Sequence, residues 1–340
     1  MNPTAHNNSG DEDAQPDVAD TAGSTVSYKT QSHSLVDAAQ QGEIQRWVTT
    51  EIHQISPGSY EGRCTTLSMD GMHVVHERQN QAVHKDGITP KNICTVSLAF
   101  STDPELRFSH FDNSLDSWLF LLPEEQEFDI KLPANTETLY VCLEQDKLMA
   151  NARILNECFW EKPPEDLQVF NTPFRNEFAG RLMWMLKHFG AADRPPVQAL
   201  IMDAILLAMN NATGILTSEL PEYRARLRAH QLVKDARAFI NDRLRLGHSP
   251  SVVDVCAHTG ISERTLQYAF QRELQLSPLA YIRIVRLNGA RAQLLAAAPS
   301  ETTVTHVATA WGFFHLGKFS QDYRRMFGER PSETLASFRR

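Results

Sequence analysis

The chain has 340 residues, of which 42% are hydrophobic and 22% charged, and its formal net charge is −8. This composition is ordinary for a globular protein of about two domains. No apolar run approaches the ~18 residues of a membrane-spanning helix, and the polar N-terminus shows no secretory signal, so a membrane or secreted protein is not expected. The five cysteines are widely spaced without a CxxC pair, which predicts reduced thiols in a cytoplasmic protein.

The charge is divided unevenly along the chain. Residues 223–340 hold 18 Lys and Arg against 9 Asp and Glu, whereas residues 1–222 hold 15 against 32. A basic region joined to an acidic one is typical of a protein in which only one part meets a polyanion. Chance variation between domains is the alternative, and charge alone does not name the partner.

The first part of the chain divides into a polar tail and a strand-rich region. Residues 1–34 have few large apolar side chains, which predicts a disordered tail. The next predicted domain is residues 35–222. Within it, in residues 44 to about 170, short runs rich in β-branched or aromatic residues follow one another, each bounded by Gly, Pro, Asn or Asp. Such runs predict a β-rich, cupin-like barrel or sandwich, and barrels of this size often hold one small ligand. The domain is therefore expected to bind an effector, and its apolar helices, described next, are the candidates for dimerisation.

From residue 174 onward the apolar period becomes helical. Two helices are predicted in the stretches RNEFAGRLMWMLKHFG and PVQALIMDAILLAMNNATG. Their apolar stripes either pack against the β-rich region, as part of its core, or form a dimer surface. Such a stripe more commonly belongs to the core. A third, arginine-rich helix begins a final domain of residues 223–340. The predicted fold class is therefore α+β, with an all-α C-terminal domain.

Residues 251–270 carry the local signals of a helix, a sharp turn and a second helix. Ser251 and Ser262 are predicted to cap the two helices, because a serine oxygen accepts from an unpaired backbone N–H. Gly260 is placed at the turn, where a positive φ is needed. This arrangement is the helix-turn-helix pattern, whose second helix enters the DNA major groove.

The same signals recur at residues 303–323, with Thr303 as the cap and Gly312 in the turn. One such match is weak evidence, but two matches in a basic domain are strong evidence. An arginine-bearing helix is predicted between them. Gly289 lies inside that helix, at a cost of roughly 1 kcal/mol relative to alanine, and the sequence does not explain why.

The two motifs resemble the DNA-binding domain of the AraC/XylS transcription regulators, through SERTLQYAFQRELQLSPLAYIRIVRLNGAR in the first half and VATAWGFFHLGKFSQDYRRMFGERPSETL in the second. The resemblance covers about residues 225–335. The N-terminal stretch RWVTTEIHQISPGSYEG is similar, more loosely, to ethanolamine-operon regulators. The family resemblance implies a transcription regulator, an activator, whose partners are double-stranded promoter DNA, RNA polymerase, a small-molecule effector and a second copy of the chain.

Helical spacing and the resemblance together give a set of candidate DNA contacts. The side chains predicted to contact base edges are Arg264, Gln267, Tyr268, His315, Lys318 and Gln321. Those predicted to contact phosphates are Arg272, Arg324, Arg325 and Arg330. Arg264 with guanine and Gln267 with adenine are the chemically natural pairings. A solvated surface side chain is the alternative for each. Gly317 is expected to let the backbone approach a phosphate or a neighbouring helix.

The β-rich region leaves other functions open. His73 and His76 lie in one predicted strand, where residues three apart point to opposite faces, so they do not easily share a metal. No GxSxG motif, phosphate-binding loop or activated cysteine is found, so no catalytic residue, metal or cofactor is predicted. Four aromatic side chains are candidates for an apolar pocket or for ordinary core: Trp118, Phe120, Tyr140 and Trp160. The alternatives are a cupin-like metal enzyme fused to a DNA-binding domain, and a ligand-free regulator whose N-terminal domain only dimerises.

Overall fold

Two antiparallel β-sheets, a layer of helices and a helical C-terminal domain make up the chain in a computed structural model. The structure describes residues 29–101, 103, 105–112, 118–189, 197–212 and 221–337, without the side chains of Asp112 and residues 221–226. Most of the predicted disordered tail, residues 1–28, lies outside the described residues.

The strands belong to two sheets. In chain order they are β1 (Lys29–Leu35), β2 (Thr49–Gln54), β3 (Gly62–Met69), β4 (Met72–Gln79), β5 (Val83–Ile88), β6 (Ile93–Phe100), β7 (Arg107–Phe108), β8 (Phe111–Asp112), β9 (Trp118–Leu122), β10 (Glu127–Leu132), β11 (Thr136–Glu144) and β12 (Gln168–Asn171). The larger sheet has the order β1-β3-β4-β11-β6-β9-β12, and the smaller has the order β2-β5-β10-β7-β8. Within the described residues no strand joins the two sheets. The predicted sandwich is therefore confirmed, and the closed barrel is wrong.

Strand β1 corrects the predicted extent of the disordered tail. It pairs with β3 along its whole length, from Lys29 opposite Ser68 to Leu35 opposite Gly62. Its side chains are mostly exposed, because β1 is an edge strand held by backbone hydrogen bonds rather than by apolar burial. Composition reports side chains alone and therefore does not detect such a strand.

The helices of the β-rich domain are α1 (Gln40–Ile44), α2 (Gln145–Leu155), α3 (Arg175–His188) and α4 (Val197–Asn210). Helices α2 to α4 share one core with the larger sheet, to which α3 contributes Leu182 and α4 contributes Ile205. The apolar stripes of the two predicted helices are thus part of the core. A second core, which contains Val75 and Val83, lies between the two sheets.

The C-terminal domain contains α5 (Pro221–Arg245), α6 (Val252–Thr259), α7 (Glu263–Leu274), α8 (Pro278–Ala296), α9 (Val304–Ala310), α10 (Leu316–Phe327) and α11 (Pro331–Ala336). It has two apolar cores, one around Phe270 and Tyr281 and the other around Leu294 and Phe319. Helix α8 contributes Tyr281 to the first core and Leu294 to the second. The two halves of the domain are therefore built on one shared helix.

Candidate nucleic-acid interface

Local capping and a glycine turn build the first helix-turn-helix. The Ser251 hydroxyl accepts from the Asp254 backbone N–H at 3.2 Å, and the Asp254 carboxylate accepts from the Ser251 N–H at 2.8 Å. Helix α6 ends at Gly260, whose φ of 69° strains larger side chains. Ser262 caps α7 by accepting from the Thr265 N–H at 3.2 Å. Helix α7 is thus the second helix of the first motif, the one predicted to be its recognition helix.

Helix α7 has a buried face and an accessible face. Leu266 and Phe270 are fully buried in the first core. Arg264 and Tyr268 are exposed, Gln267 is half-buried, and all three border one shallow depression. The structure therefore brings the three predicted base contacts of the first motif together on one accessible surface.

The second helix-turn-helix differs from the first in its turn. Thr303 caps α9 by accepting from the backbone three residues further on, at 3.1 Å, and Gly312 has a φ of 75°. His315 stands at the N-cap of α10 but makes no side-chain capping bond. His315, Lys318 and Gln321 are all exposed. Helix α10 is thus the predicted recognition helix of the second motif, and the three predicted base contacts at and after its N-cap are accessible to solvent.

An ion pair that the sequence analysis missed positions Lys318. Its ammonium lies 3.2 Å from the Asp322 carboxylate, which is also paired with Arg283 of α8. The spacing of four residues along one helix is a recognisable signal for the first pair. The second pair joins residues far apart in the chain and has no local signal. Asp322 therefore has a second cation beside it whichever way Lys318 points.

The four predicted phosphate contacts do not share one surface. Arg324 and Arg330 line the same groove as Gln321. Arg325 lies on another side of α10, in a groove whose opposite wall comes from the β-rich domain. Arg272 lies at the end of α7, where its carbonyl accepts from an arginine of β7 at 3.2 Å. Of the four, Arg324 and Arg330 are thus grouped with a predicted base contact.

The packing of α8 explains Gly289. A Cβ built at this position would lie 2.1 Å from the Trp311 ring. Trp311 packs against both helical cores, and its indole N–H donates to Gln293 at 2.9 Å. The absent side chain lets one ring join the two helix-turn-helix units. By contrast, a Cβ built on Gly317 meets nothing within 4 Å, so Gly317 does not serve helix packing in the described chain.

The β-rich domain docks on the helical domain away from both recognition faces. Asn288 of α8 exchanges two hydrogen bonds with the backbone of Gln54, at 3.0 and 3.2 Å. Arg291, also on α8, is paired with Asp37. None of the six predicted base contacts hydrogen bonds to the β-rich domain in the described part of the chain. The docked arrangement therefore leaves both recognition helices accessible.

A buried arginine joins α5 to the β-rich domain. Arg237 is 3% exposed; it donates to Asp129, to Asp86 at 2.7 Å and to the Tyr281 hydroxyl at 3.1 Å. The imidazole of His84 lies between these groups, with Nε2 2.8 Å from Asp129 and Nδ1 3.1 Å from Arg237. Two carboxylates, a guanidinium and an imidazole thus meet at one interdomain position.

These groups shift one another's pKa values. Burial raises the pKa of Asp86, but the hydrogen bond from His84 and the charge of Arg237 outweigh it and lower this pKa to about 2. Burial also raises the pKa of Asp129, yet the charges of Arg237 and His84 bring it well below its usual range. Burial and Arg237 lower the pKa of His84, whereas the two carboxylates raise it, and the net change is upward. The interface therefore favours charged carboxylates.

A cavity lies between the two sheets of the β-rich domain. Its apolar wall includes Val48, Leu98, Leu106, Phe108, Phe128, Ile130 and Tyr140. The other three aromatic side chains of the predicted pocket, Trp118, Phe120 and Trp160, belong to the cores. One corner is polar, because the buried Glu77 accepts from Lys85 at 2.5 Å and from Thr138 at 2.6 Å. The cavity suits a small, largely apolar molecule with one polar group.

The described residues contain no group of three or more His, Cys, Asp or Glu side chains placed to hold a metal ion. His73 instead stacks on Trp47, with ring centroids 4.3 Å apart, and His76 lies 2.9 Å from Glu137. Among the helices in the described ranges, none has the length and apolar character to cross a membrane.

Known proteins match the helical region. A family model described as a helix-turn-helix domain matches residues 255–337. A probable thc operon regulatory protein of Rhodococcus erythropolis is 36% identical over 126 residues, which cover 36% of this chain and 38% of that protein. The XylDLEGF operon transcriptional activator 3 of Pseudomonas putida is 37% identical over 97 residues, covering 28% of this chain and 29% of that protein. A solved structure of a probable AraC family transcriptional regulator from Rhodopseudomonas palustris is 40% identical, with a TM-score of 0.30, and covers 32% of this chain and 99% of that one.

The matched region contains both recognition helices. The helical domain is therefore a DNA-binding domain of the double helix-turn-helix class, and α5, which precedes the matched region, packs into its first core. In this domain the chain matches the AraC/XylS family of transcription regulators. The chain spans less than half the length of the two curated relatives described above. The finer likeness to ethanolamine-operon regulators stays a prediction.

Proposed function

We propose that this protein regulates transcription, as an activator, by binding promoter DNA through both helix-turn-helix motifs. One observation carries the proposal: five of the six predicted base-contact side chains are exposed and Gln267 is half-buried, while the β-rich domain docks behind both recognition helices. The excess of Lys and Arg in residues 223–340 supplies affinity for phosphates, and the two recognition helices supply sequence choice. The relative named as a XylDLEGF operon activator supports activation over repression.

Each predicted contact has a chemical role in this proposal. Arg264 donates to the O6 and N7 of a guanine, and Gln267 pairs with the N6 and N7 of an adenine. The remaining base edges are contacted by Tyr268, His315, Lys318 and Gln321. The phosphates are contacted by Arg272, Arg324, Arg325 and Arg330. Gly317 leaves the start of α10 open to a phosphate.

Replacing Arg264 and Gln267 together by alanine is expected to abolish sequence selection at one half of the site. Each bidentate pair contributes about 1–3 kcal/mol of discrimination, so the double variant should lose at least about tenfold in specific affinity. The measurement is retention of genomic DNA fragments by the full chain at about physiological salt, followed by affinity measurements on the enriched fragment. Affinity for random-sequence duplex should fall much less, because it depends on phosphate contacts.

Arg63→Ala is the matched control, since it removes the same charge from an exposed residue of β3, outside the DNA-binding domain. It should leave the enriched fragment unchanged. Retention of all sequences alike, lost with modest salt, would instead mean that the helical domain is a polyanion anchor and would contradict the proposal.

We also propose that a small-molecule effector binds in the cavity between the sheets. The Ser97 hydroxyl lines this cavity and has no hydrogen-bond partner among the described residues, so Ser97→Phe fills the space without breaking a protein hydrogen bond. Metabolites that raise the melting temperature of the native chain are expected to have no effect on this variant. A broad screen without any such metabolite would favour a β-rich domain that only dimerises.

The other proposed partners are RNA polymerase and a second copy of the chain, in the cytoplasm. Dimer formation draws support from apolar side chains exposed on the helices of the β-rich domain, where Ile154 is 82% and Trp184 is 54% exposed. Analytical ultracentrifugation of the native chain and of an Ile154→Ser, Trp184→Ser variant measures this directly. The variant should sediment as a monomer if these helices form the dimer surface.

A further inference from the structure

Phe314 stands out among the side chains around the second recognition helix. It is a phenylalanine in the turn, two residues before α10 begins, and it is 77% exposed. Its neighbour Phe313 is turned the other way: its ring lies 4.9 Å from that of Phe319, and the Arg286 guanidinium lies 4.1 Å from its ring centre. The Phe313 N–H also donates to the Ala308 carbonyl at 2.8 Å. The contacts of Phe313 with the domain thus fix the turn, and the Phe314 side chain is left exposed to solvent.

Comparison of the two turns shows that this arrangement is particular to the second motif. Six positions separate Gly260 from the buried Leu266, whereas seven separate Gly312 from the equivalent Phe319. The first turn uses Ser262 to cap its helix, but the second turn has no side-chain cap. The second turn therefore holds one more residue than the first. His315 stands where the first motif has its capping serine, and the exposed ring of Phe314 lies directly before it.

The place of this ring relative to the proposed base contacts suggests its use. Residues at the N-terminal end of a recognition helix lie at base edges in the major groove. His315, Lys318 and Gln321 follow Phe314 and are polar, so they are suited to hydrogen-bonding edges. The one apolar group that DNA offers in the major groove is the C5-methyl of thymine, which phenylalanine contacts well.

We propose that Phe314 packs on a thymine methyl group in the part of the site bound by α10, and so selects thymine at one base pair. This inference rests on the proposed function, since it requires that α10 enters the major groove. It adds a specificity-determining residue that hydrogen-bond patterns do not reveal. The ring contributes no charge, so its effect is on sequence choice rather than on attraction to phosphates.

The test uses deoxyuridine, which differs from thymidine by that methyl group. The full chain first selects a duplex from a random-sequence pool, and each thymine of the selected duplex is then replaced singly by uracil. The native chain should lose about fourfold in affinity at one position, the value expected for exposing one buried methyl group. In Phe314→Ala the loss at that position should disappear, and Phe314→Leu should restore part of it.

Two controls keep the result specific. Leu279→Ala removes another exposed apolar side chain, 65% accessible on α8, and should keep the native uracil pattern. Thermal unfolding of Phe314→Ala should match the native chain, because the ring has little packing to lose. The inference would be overturned if Phe314→Ala kept the native loss of affinity on uracil substitution. It would also be overturned if that loss disappeared in Leu316→Ala, which removes the partly exposed leucine at the first position of α10, and not in Phe314→Ala. Either outcome would leave the proposed function intact. Failure of the native chain to select any sequence would overturn both.

Discussion

Replacement of Arg237 by alanine is expected to lower the free energy of unfolding by about 3–5 kcal/mol, the usual cost of removing one partner from a buried ion pair. The variant leaves the carboxylates of Asp86 and Asp129 in the interface without the guanidinium that binds both. It also removes the hydrogen bond to Tyr281 in the first helical core. Urea denaturation followed by tryptophan fluorescence measures the change.

The matched control is Arg245→Ala on the same helix. Arg245 is paired with Glu51 of the β-rich domain, but its side chain is 60% exposed. Exposed pairs contribute about 0–1 kcal/mol, so this variant should be nearly as stable as the native chain. Equal effects of the two substitutions would show that burial of Arg237 between the domains does not matter to stability.

The effect of Arg237→Ala is also expected to depend on pH. The pKa of Asp86 is lowered from its ordinary 3.8 to about 2 in the folded chain. A carboxylate with a depressed pKa contributes stability that is complete above its unfolded-state pKa and is lost as the pH falls through its folded-state pKa. The difference between the native chain and the variant should therefore be full above pH ~4 and shrink toward pH ~2.

Gly289→Ala is expected to lower the free energy of unfolding by about 1–3 kcal/mol, which is the typical cost of adding a methyl group to a packed core. Helix propensity alone would make the alanine variant more stable by roughly 1 kcal/mol. A fall in the free energy of unfolding therefore shows that the clash with Trp311 outweighs helix propensity, and a rise shows the opposite. The new Cβ would lie 2.1 Å from the Trp311 ring, too close for that ring to remain in place. Thermal unfolding of the native chain and the variant is the measurement.

Gly180→Ala is the control for this substitution, because it lies within α3 and a Cβ there meets nothing within 4 Å. It should raise the free energy of unfolding by about 0.5–1 kcal/mol, through helix propensity alone. Stabilisation by both substitutions would mean that Trp311 moves aside freely and that Gly289 is not needed for its packing.

Much of the DNA-binding domain could be predicted because its signals are local. A capping serine lies three residues from the N–H that it binds, and Gly260 marks its turn by its own conformational range. The same holds for the exposed position of Arg264, which follows from helical spacing once Leu266 is assigned to the core. Such features depend on neighbours within one or two helical turns, which a sequence displays directly.

The remaining features depend on partners far apart in the chain. Strand β1 has no apolar pattern and exists through backbone pairing with β3. In the sequence, Arg237 looks like any other arginine of a basic helix. No neighbouring residue indicates that it pairs with Asp86 and Asp129, which lie more than 100 residues away. Gly289 looks unfavourable until Trp311 is placed against it. Each of these features arises from a contact between residues far apart in the chain, so no local pattern in a single sequence predicts it.

The shared helix α8 has a consequence for the geometry of binding. Its 19 residues run for about 28 Å, and Trp311 ties the two cores to it, so the two recognition helices keep one separation and one angle. The spacing of successive major grooves is set by the DNA and not by the protein. If this spacing differs from that of the two recognition helices, the duplex has to bend or twist so that both helices enter the groove. Sites whose central steps bend or twist easily, such as TA or CA, will be preferred even where no side chain touches them.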